Sequence, residues 1–383
     1  MQQDFHYYAT YCAAFLAGFP HEACMSICYS AQLPDWCSAA FLTGLHAPLA
    51  AATTQLPMEM ADARTDLLGL QNITRIWASF HFLPYDLNAK IKGSRRYRNK
   101  YRLICKPNGS LAAETVELAK GGSLQAAGLA MHVLADTWAH ANFAGTPSLV
   151  INNTNRHFYE LLPDGTERAV RFRHNPSAPD DLEAGVYTNS LFQMEENSVM
   201  NLGHGRAGHL PDYSFMRYRY LPAWGGYAEI VKDNPDDYFH AFCQMIEALK
   251  YLRGERDSFA VERYDFAAVQ GLEEEIRTIL NRRRPDACAD WKALGERLSG
   301  REIQDFDLAL YQREYLDAPE SEKDGTFLGR FILAALAQKS MVTNRIFKSG
   351  SLLAGYSVEL RSDRFRGMRD FRMLVRSRRE ESR

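Results

Sequence analysis

Residues 129–140 read LAMHVLADTWAH, an apolar helical pattern that carries His132, Asp136 and His140 at intervals of four. At ~3.6 residues per turn each four-residue step rotates by only about 40°, so the three side chains project from one side of a helix. They make a polar stripe on an apolar element. Burying such groups unpaired costs about 1–3 kcal/mol each, so they need a partner. A single core histidine is commonly satisfied by a neighbouring hydrogen bond. Three ligand-type residues on one stripe point instead to metal. With a rise of ~1.5 Å per residue, His132 and His140 stand about 12 Å apart along the axis, too far to share one ion at bond lengths near 2 Å. The spacing predicts two ions, with Asp136 between them.

Outward from this segment the pattern stays helical. Residues 7–31 fit two helices joined at Gly18-Phe19-Pro20, and further helices are expected at 57–71, 72–80, 111–119, 122–143, 187–201, 235–252, 258–282, 290–298, 302–316 and 326–345. Strand signals are few. The clearest is 157–172, HFYELLPDGTERAVRF, where Pro163-Asp164-Gly165 separates two short runs as in a hairpin. It lies in a stretch rich in Pro, Asn and Gly, so residues 145–185 read as a lid-like insertion. The expected architecture is all-α, mainly helical, with that one small β excursion. A helical metal-binding domain covers 1–252, and a helical region over 253–383 packs on it. The last stretch, Arg361 to Arg383, interleaves nine arginines with acids and reads as a solvated helix or frayed tail, with a basic surface for an anionic partner as the alternative.

Of 383 residues, 46% are hydrophobic and 24% charged, which suits a large buried core. Lys and Arg total 45 against 47 Asp and Glu, for a formal charge of −2. That balance disfavours a nucleic-acid partner. Eleven histidines all precede residue 241. Seven cysteines, odd in number and without a CxxC pair, read as reduced core thiols. The N-terminal MQQDFHYYAT lacks the basic region of a secretory signal, so a cytoplasmic location is expected. Residues 36–58 carry no charge, but their Ser, Thr, His, Gln and Pro argue against a transmembrane span.

A second cluster is NLGHGRAGHLPD, 201–212, with His204, His209 and Asp212 in a glycine-rich loop. Its glycines permit tight turns that could gather two imidazoles and a carboxylate. Arg206 between the histidines offers a bidentate fork to a phosphate. Three isolated positions complete the set: Asp4 with His6, placed by Asp-Phe-His on one edge; His81 at a helix end before Pro84; and Asp35 in an apolar context.

The Asp-x-His near the N-terminus, the acid after Ala-Gln-x-x, His-Phe some 45 residues on, and the His-x-x-x-Asp helix followed by another His resemble the zinc-dependent phospholipase C and P1-type nuclease group. The chain is also similar to a less characterised bacterial branch of it, marked by His-x-x-x-Asp-Thr-Trp-x-His and Gly-His-Gly-x-x-Gly-His-x-Pro-Asp. The resemblance covers roughly residues 1–212. It implies an all-helical bundle with three zinc ions in a cleft. Asp35, His81, His132 and Asp136 would hold one ion, and His140 with His204 or His209 and Asp212 a second. The group's third ion uses the free amine and carbonyl of an N-terminal Trp; here no such Trp is present, and Asp4 stands in for the amine beside His6 and Asp136.

Two or three such ions suit hydrolysis of a phosphate ester. The substrate would be a small-molecule or lipid phosphate ester, with Asp35 orienting or deprotonating the attacking water. The same His/Asp donors also accept iron, manganese or nickel. The sequence has no G-x-S-x-G elbow, H-E-x-x-H helix, Walker A loop or Rossmann fingerprint. The competing expectation is a non-catalytic metal-binding or interaction protein on the same scaffold.

Overall fold

The computed structural model describes residues 1–350 apart from 64–66, 94, 153, 155–156, 174–178, 190–201 and 223–227. The chain is mainly helical, as its periodicity predicts. Its axis is the helix Leu124–Ala139, in which every residue from Ala127 to Ala139 is buried. A helix buried on every side belongs at the centre of a bundle. The Ser123 hydroxyl caps it by accepting the Ala126 amide at 3.2 Å, and His140 ends it. Helices His21–Gln32, Ser110–Ala119, Asn234–Arg253 and Phe327–Lys348 pack around it. The approach of His21–Gln32 is tightest at Gly128, where a Cβ would lie 2.3 Å from the Ile27 carbonyl oxygen.

A π-helix, Asp4–Ala9, leads into the helix Thr10–Leu16 and is buried throughout. Such turns are rare and recur at functional positions. The helix Asn234–Arg253 has both signatures of a stable segment. Asp233 and Pro235 open it, and Lys250, Arg253 and a left-handed Gly254 close it.

The predicted hairpin is present as β1 (Tyr159–Leu161) and β2 (Glu167–Ala169), paired antiparallel with Gly165 at φ +81° in the turn. β3 (Arg171–Arg173) and β4 (Val186–Thr188) form a parallel pair. β5 (Arg217–Tyr220) and β6 (Ile230–Asp233) extend the hairpin into a four-stranded sheet of order β2-β1-β5-β6. In β5 the alternation is real, with Tyr218 and Tyr220 buried, but four residues with two arginines are too short a signal to find.

The C-terminal region shares the core of the first. Trp291 is fully buried, edge-on to Phe5 at 6.1 Å and 5.2 Å from Phe242. Several expected helices are shorter than their pattern. The 258–282 stretch resolves into a 3₁₀ turn, Phe266–Val269, and the helix Glu273–Asn281, separated by Gly271 at φ +83°. Only Gln312–Asp317 is helical in the 302–316 stretch, and the described helices nearer the N-terminus are Pro57–Ala63 and Leu67–Phe80. Of the expected 187–201 helix, the first residues belong to β4; positions 190–201, His174 and the arginine-rich tail lie outside the described residues. No described helix is long and apolar enough to cross a membrane. The charge-free run 36–58 instead holds a short helix, Ala39–Gly44, and a 3₁₀ turn, Leu49–Ala51.

Candidate metal centre

Four imidazoles in the core each give one ring nitrogen to a main-chain carbonyl. Nδ1 of His132 donates to Ala31 at 2.8 Å, Nδ1 of His140 to His81 at 2.7 Å, and Nδ1 of His204 to Gly208 at 2.8 Å. His81 does the reverse, with Nε2 donating to the Thr53 carbonyl at 3.1 Å. A carbonyl oxygen only accepts, so each contact fixes the tautomer. The lone pair of each second nitrogen is thereby aimed inward, the arrangement seen around metal-bound histidines.

These inward nitrogens converge. His132 Nε2 lies 3.3 Å from His81 Nδ1 and 3.3 Å from Asp136 Oδ2, and His81 Nδ1 is 3.1 Å from the same oxygen. At the other end of the stripe His140 Nε2 is 3.2 Å, and His204 Nε2 3.6 Å, from the Asp212 carboxylate. His6 stacks on His132 with ring centroids 4.0 Å apart, and its buried Nδ1 has no partner among the described residues. Three groups result that could hold a metal ion: His81/His132/Asp136, His140/His204/Asp212 and His6/Asp35/His132, with ligand atoms within 4.8 Å of one another in each. Asp136 joins them. Its Oδ2 faces His81 and His132, and its Oδ1 faces His6 at 3.1 Å.

The α-amino group of Met1 donates to Asp136 Oδ1 at 2.8 Å and lies 3.3 Å from both His140 Nε2 and Asp212 Oδ1. Burial works against its charge, but Asp136, Asp212 and Asp35 outweigh it and raise the amine to about 11. Burial alone would lift the Asp136 carboxyl; His140, the Met1 ammonium and His132 together hold it well below the usual range. Burial depresses His6 and His204 to about 4. An imidazole kept neutral in this way is in the ligating state.

Two expected ligands stand elsewhere. The Asp4 carboxylate accepts the amides of Phe5 at 2.8 Å and Ala287 at 2.9 Å, away from the cluster. Placing it beside His6 assumed a strand-like alternation; in a helical segment residues two apart point to different sides. His209 is likewise outside the three groups, 52% exposed and 3.2 Å from Asp180, so His204 is the loop histidine that meets His140 and Asp212. Arg206 is buried within the loop, its carbonyl accepting from Asn189 at 3.1 Å. Asp35 keeps its place at the edge: Gln32 donates to it at 3.1 Å, and it is 31% exposed, the most open acid of the cluster. The Met1 amine and the anchoring carbonyls of Ala31 and Thr53 have no signature in side-chain types. The seven cysteines take no part in the centre.

A model of a family of unknown function, DUF6765, matches residues 1–346, a span containing every donor described above. The chain belongs to that family. The DUF6765 span also takes in nearly the whole of the Phe327–Lys348 helix, so the centre and the helices packed round it fall in one matched unit. No curated protein and no solved structure matches the chain.

Proposed function

We propose that the chain is a metal-dependent hydrolase of phosphate esters, on a helical scaffold of the phospholipase C/P1 nuclease type. The observation that carries this reading is the convergence of His81, His132 and Asp136 lone pairs with the ring protons already committed to carbonyls. Inward nitrogens and a carboxylate at these distances are held together by a shared cation, a proton or a metal ion, and the metal is the one that also suits the His140/His204/Asp212 group. His81, His132 and Asp136 are the donors for one ion and His140, His204 and Asp212 for a second. His6 and Asp35 are the donors for a third, without His132, whose single free nitrogen serves the first. Oxygen and imidazole donors without thiolate suit zinc, and also iron, manganese or nickel.

Divalent ions there supply Lewis acidity, polarising phosphoryl oxygens and acidifying water. The carboxylates Asp35, Asp136 and Asp212 contribute three negative charges, so two divalent ions leave a positive centre that attracts an anionic ester. Asp35, open to solvent, holds the attacking water and takes its proton. The deep burial of His6, His132 and Asp136 would equally suit an ion with a purely structural role. The open edge at Asp35 favours access for a substrate, a small-molecule or lipid phosphate ester.

The test pairs metal analysis of protein prepared without chelator with turnover of bis-(p-nitrophenyl) phosphate. Wild type is expected to carry about two or three equivalents and to lose turnover with a chelator. A His132→Ala/Asp136→Ala variant should lose both metal and activity. Less than about one equivalent in wild type would defeat the metal centre. Full metal without turnover of any phosphate ester would leave the non-catalytic reading.

A further inference from the structure

The bases of this chain are not spread evenly. Between Asp86 and Glu114 stand eight lysines and arginines and no acid, in a chain whose total formal charge is −2. Elsewhere exposed bases meet acids, as Arg217 meets Asp233 at 3.0 Å and Arg277 meets Glu273 at 2.8 Å. Here they do not. Arg98 donates to the Gly93 carbonyl at 3.2 Å and Arg102 to the Ala89 carbonyl at 3.1 Å, neutral acceptors that hold the guanidinium and leave its charge uncompensated. Lys90, Lys92 and Lys106 are exposed, and none of these five bases has an ion pair among the described residues. The foot of the segment is fixed. Pro84 bridges to Cys105 and Ile104 to Ala144, and the Cys105 amide donates to the Phe143 carbonyl at 2.7 Å, so the basic segment stands on backbone that adjoins His81 and His140.

The charge-free run 36–58 comes to the same place, because its Thr53 carbonyl accepts from His81 Nε2 at 3.1 Å. Its surface is apolar. Met58 is 74% exposed and Leu49 54%, Trp36 and Leu56 are close to half exposed, and Tyr85 at the foot of the basic segment is open as well. Glu59, the first acid after the run, turns back to accept the amides of Ala40 at 2.7 Å and Leu56 at 3.0 Å, which ties Leu56 to the start of the helix Ala39–Gly44. Single exposed apolar side chains are ordinary. Several in one uncharged run, meeting uncompensated bases at His81, are a matched pair of surfaces. A nucleic acid would use the bases and the aromatic rings but has no place for exposed leucine and methionine. A bilayer uses both, since anionic headgroups attract Lys and Arg while Trp, Tyr and Leu enter the interface.

We infer that the basic segment 87–106 and the apolar run 36–58 form a docking face on which the chain sits peripherally on an anionic lipid bilayer. The inference stands apart from the hydrolysis proposed above and is read by binding alone. The full chain is sedimented with vesicles of phosphatidylcholine, with and without phosphatidylserine as about a third of the lipid. Wild type is expected to bind the mixed vesicles much more tightly than the pure ones and to be released in salt near 1 M, where the Debye length is about 3 Å. Lys90→Gln/Lys92→Gln/Lys106→Gln should lower the partition coefficient ~10²-fold, roughly fivefold per lysine. Leu56→Ser/Met58→Ser should lower it about tenfold or more. These side chains are exposed, so both variants should keep the wild-type melting midpoint; the wild-type lipid comparison decides by itself if one does not. Equal binding to both vesicles, binding to neither, or undiminished binding by either folded variant would overturn the inference. An RNA or DNA oligonucleotide bound through the three lysines, with no vesicle binding, would give the face to nucleic acid instead.

Discussion

At Gly203 and Gly208 the loop backbone turns through φ of +54° and +57°, and each glycine has a separate reason to lack a side chain. A Cβ on Gly203 would enter the Phe82 ring at 2.1 Å, and Phe82 is stacked on His140 with centroids 4.6 Å apart. A Cβ on Gly208 would lie 2.1 Å from the Thr188 carbonyl oxygen, while the carbonyl of Gly208 itself anchors His204. Gly208→Ala is therefore expected to cost about 1–3 kcal/mol of stability through strain, read as a lower urea midpoint. It should also remove the ion of the His140/His204/Asp212 group while the His81/His132/Asp136 ion stays, so metal stoichiometry falls by about one equivalent. Retention of full metal would show that the carbonyl anchor is dispensable. At this scale the sequence was legible where side-chain type and helical spacing decide, as for His132, Asp136 and His140. It was misleading at Asp4, where an alternation suited to a strand fell in a helical turn, and silent on main-chain donors and acceptors.

Among elements, the contact of the helices His21–Gln32 and Leu124–Ala139 is the one on which the centre depends. Gly128 lets them meet, and three residues along from the Ile27 carbonyl that touches it, Ser30 leads to Ala31, whose carbonyl holds His132. Alanine gains up to ~1 kcal/mol over glycine in helix propensity. Here the added methyl would press on the Ile27 carbonyl and on Ser30 Cβ at 2.6 Å. Overpacking of this kind costs about 1–3 kcal/mol, so Gly128→Ala should destabilise, and the displaced Ala31 carbonyl should weaken metal retention in a chelator competition. A neutral or stabilising outcome would mean that the helix pair adjusts freely. Elements with an amphipathic period and a cap at each end, such as Asn234–Arg253, were legible. Those at 258–282 and 302–316 were over-read because their apolar residues follow a helical period while glycines and loop hydrogen bonds decide the backbone. Tyr8 and Lys292, for example, both bond the Asp305 carboxylate in the non-helical stretch.

Across the whole molecule, one hydrophobic core joins residues from Met1 to Ile346. The helix Phe327–Lys348 brings Lys339 against the charge-free loop, where its ammonium donates to the Ala50 carbonyl at 2.7 Å. Burial holds that amine down to about 8 from its ordinary 10.5; Cys37 opposes the shift and Arg75 adds to it. The unfolded chain keeps the ordinary value. Between the two values it binds the extra proton, so stability should rise with pH through about 8 to 10.5. Below about 8 the amine is charged in both states and the burial penalty is complete. Lys339→Met is expected to raise the melting midpoint at pH 7 and to flatten the climb towards pH 10, followed by circular dichroism at each pH. A climb equally steep in the variant would assign it to other groups. The donors of the centre come from positions 6, 35, 81, 132 to 140, 204 and 212, so an ion held there ties together segments far apart along the chain. Such a tie closes long loops, and the folded chain cannot open without first letting the ion go. The lifetime of the native state would then be set by the ion's release rate, and the protein would unfold no faster than its metal exchanges.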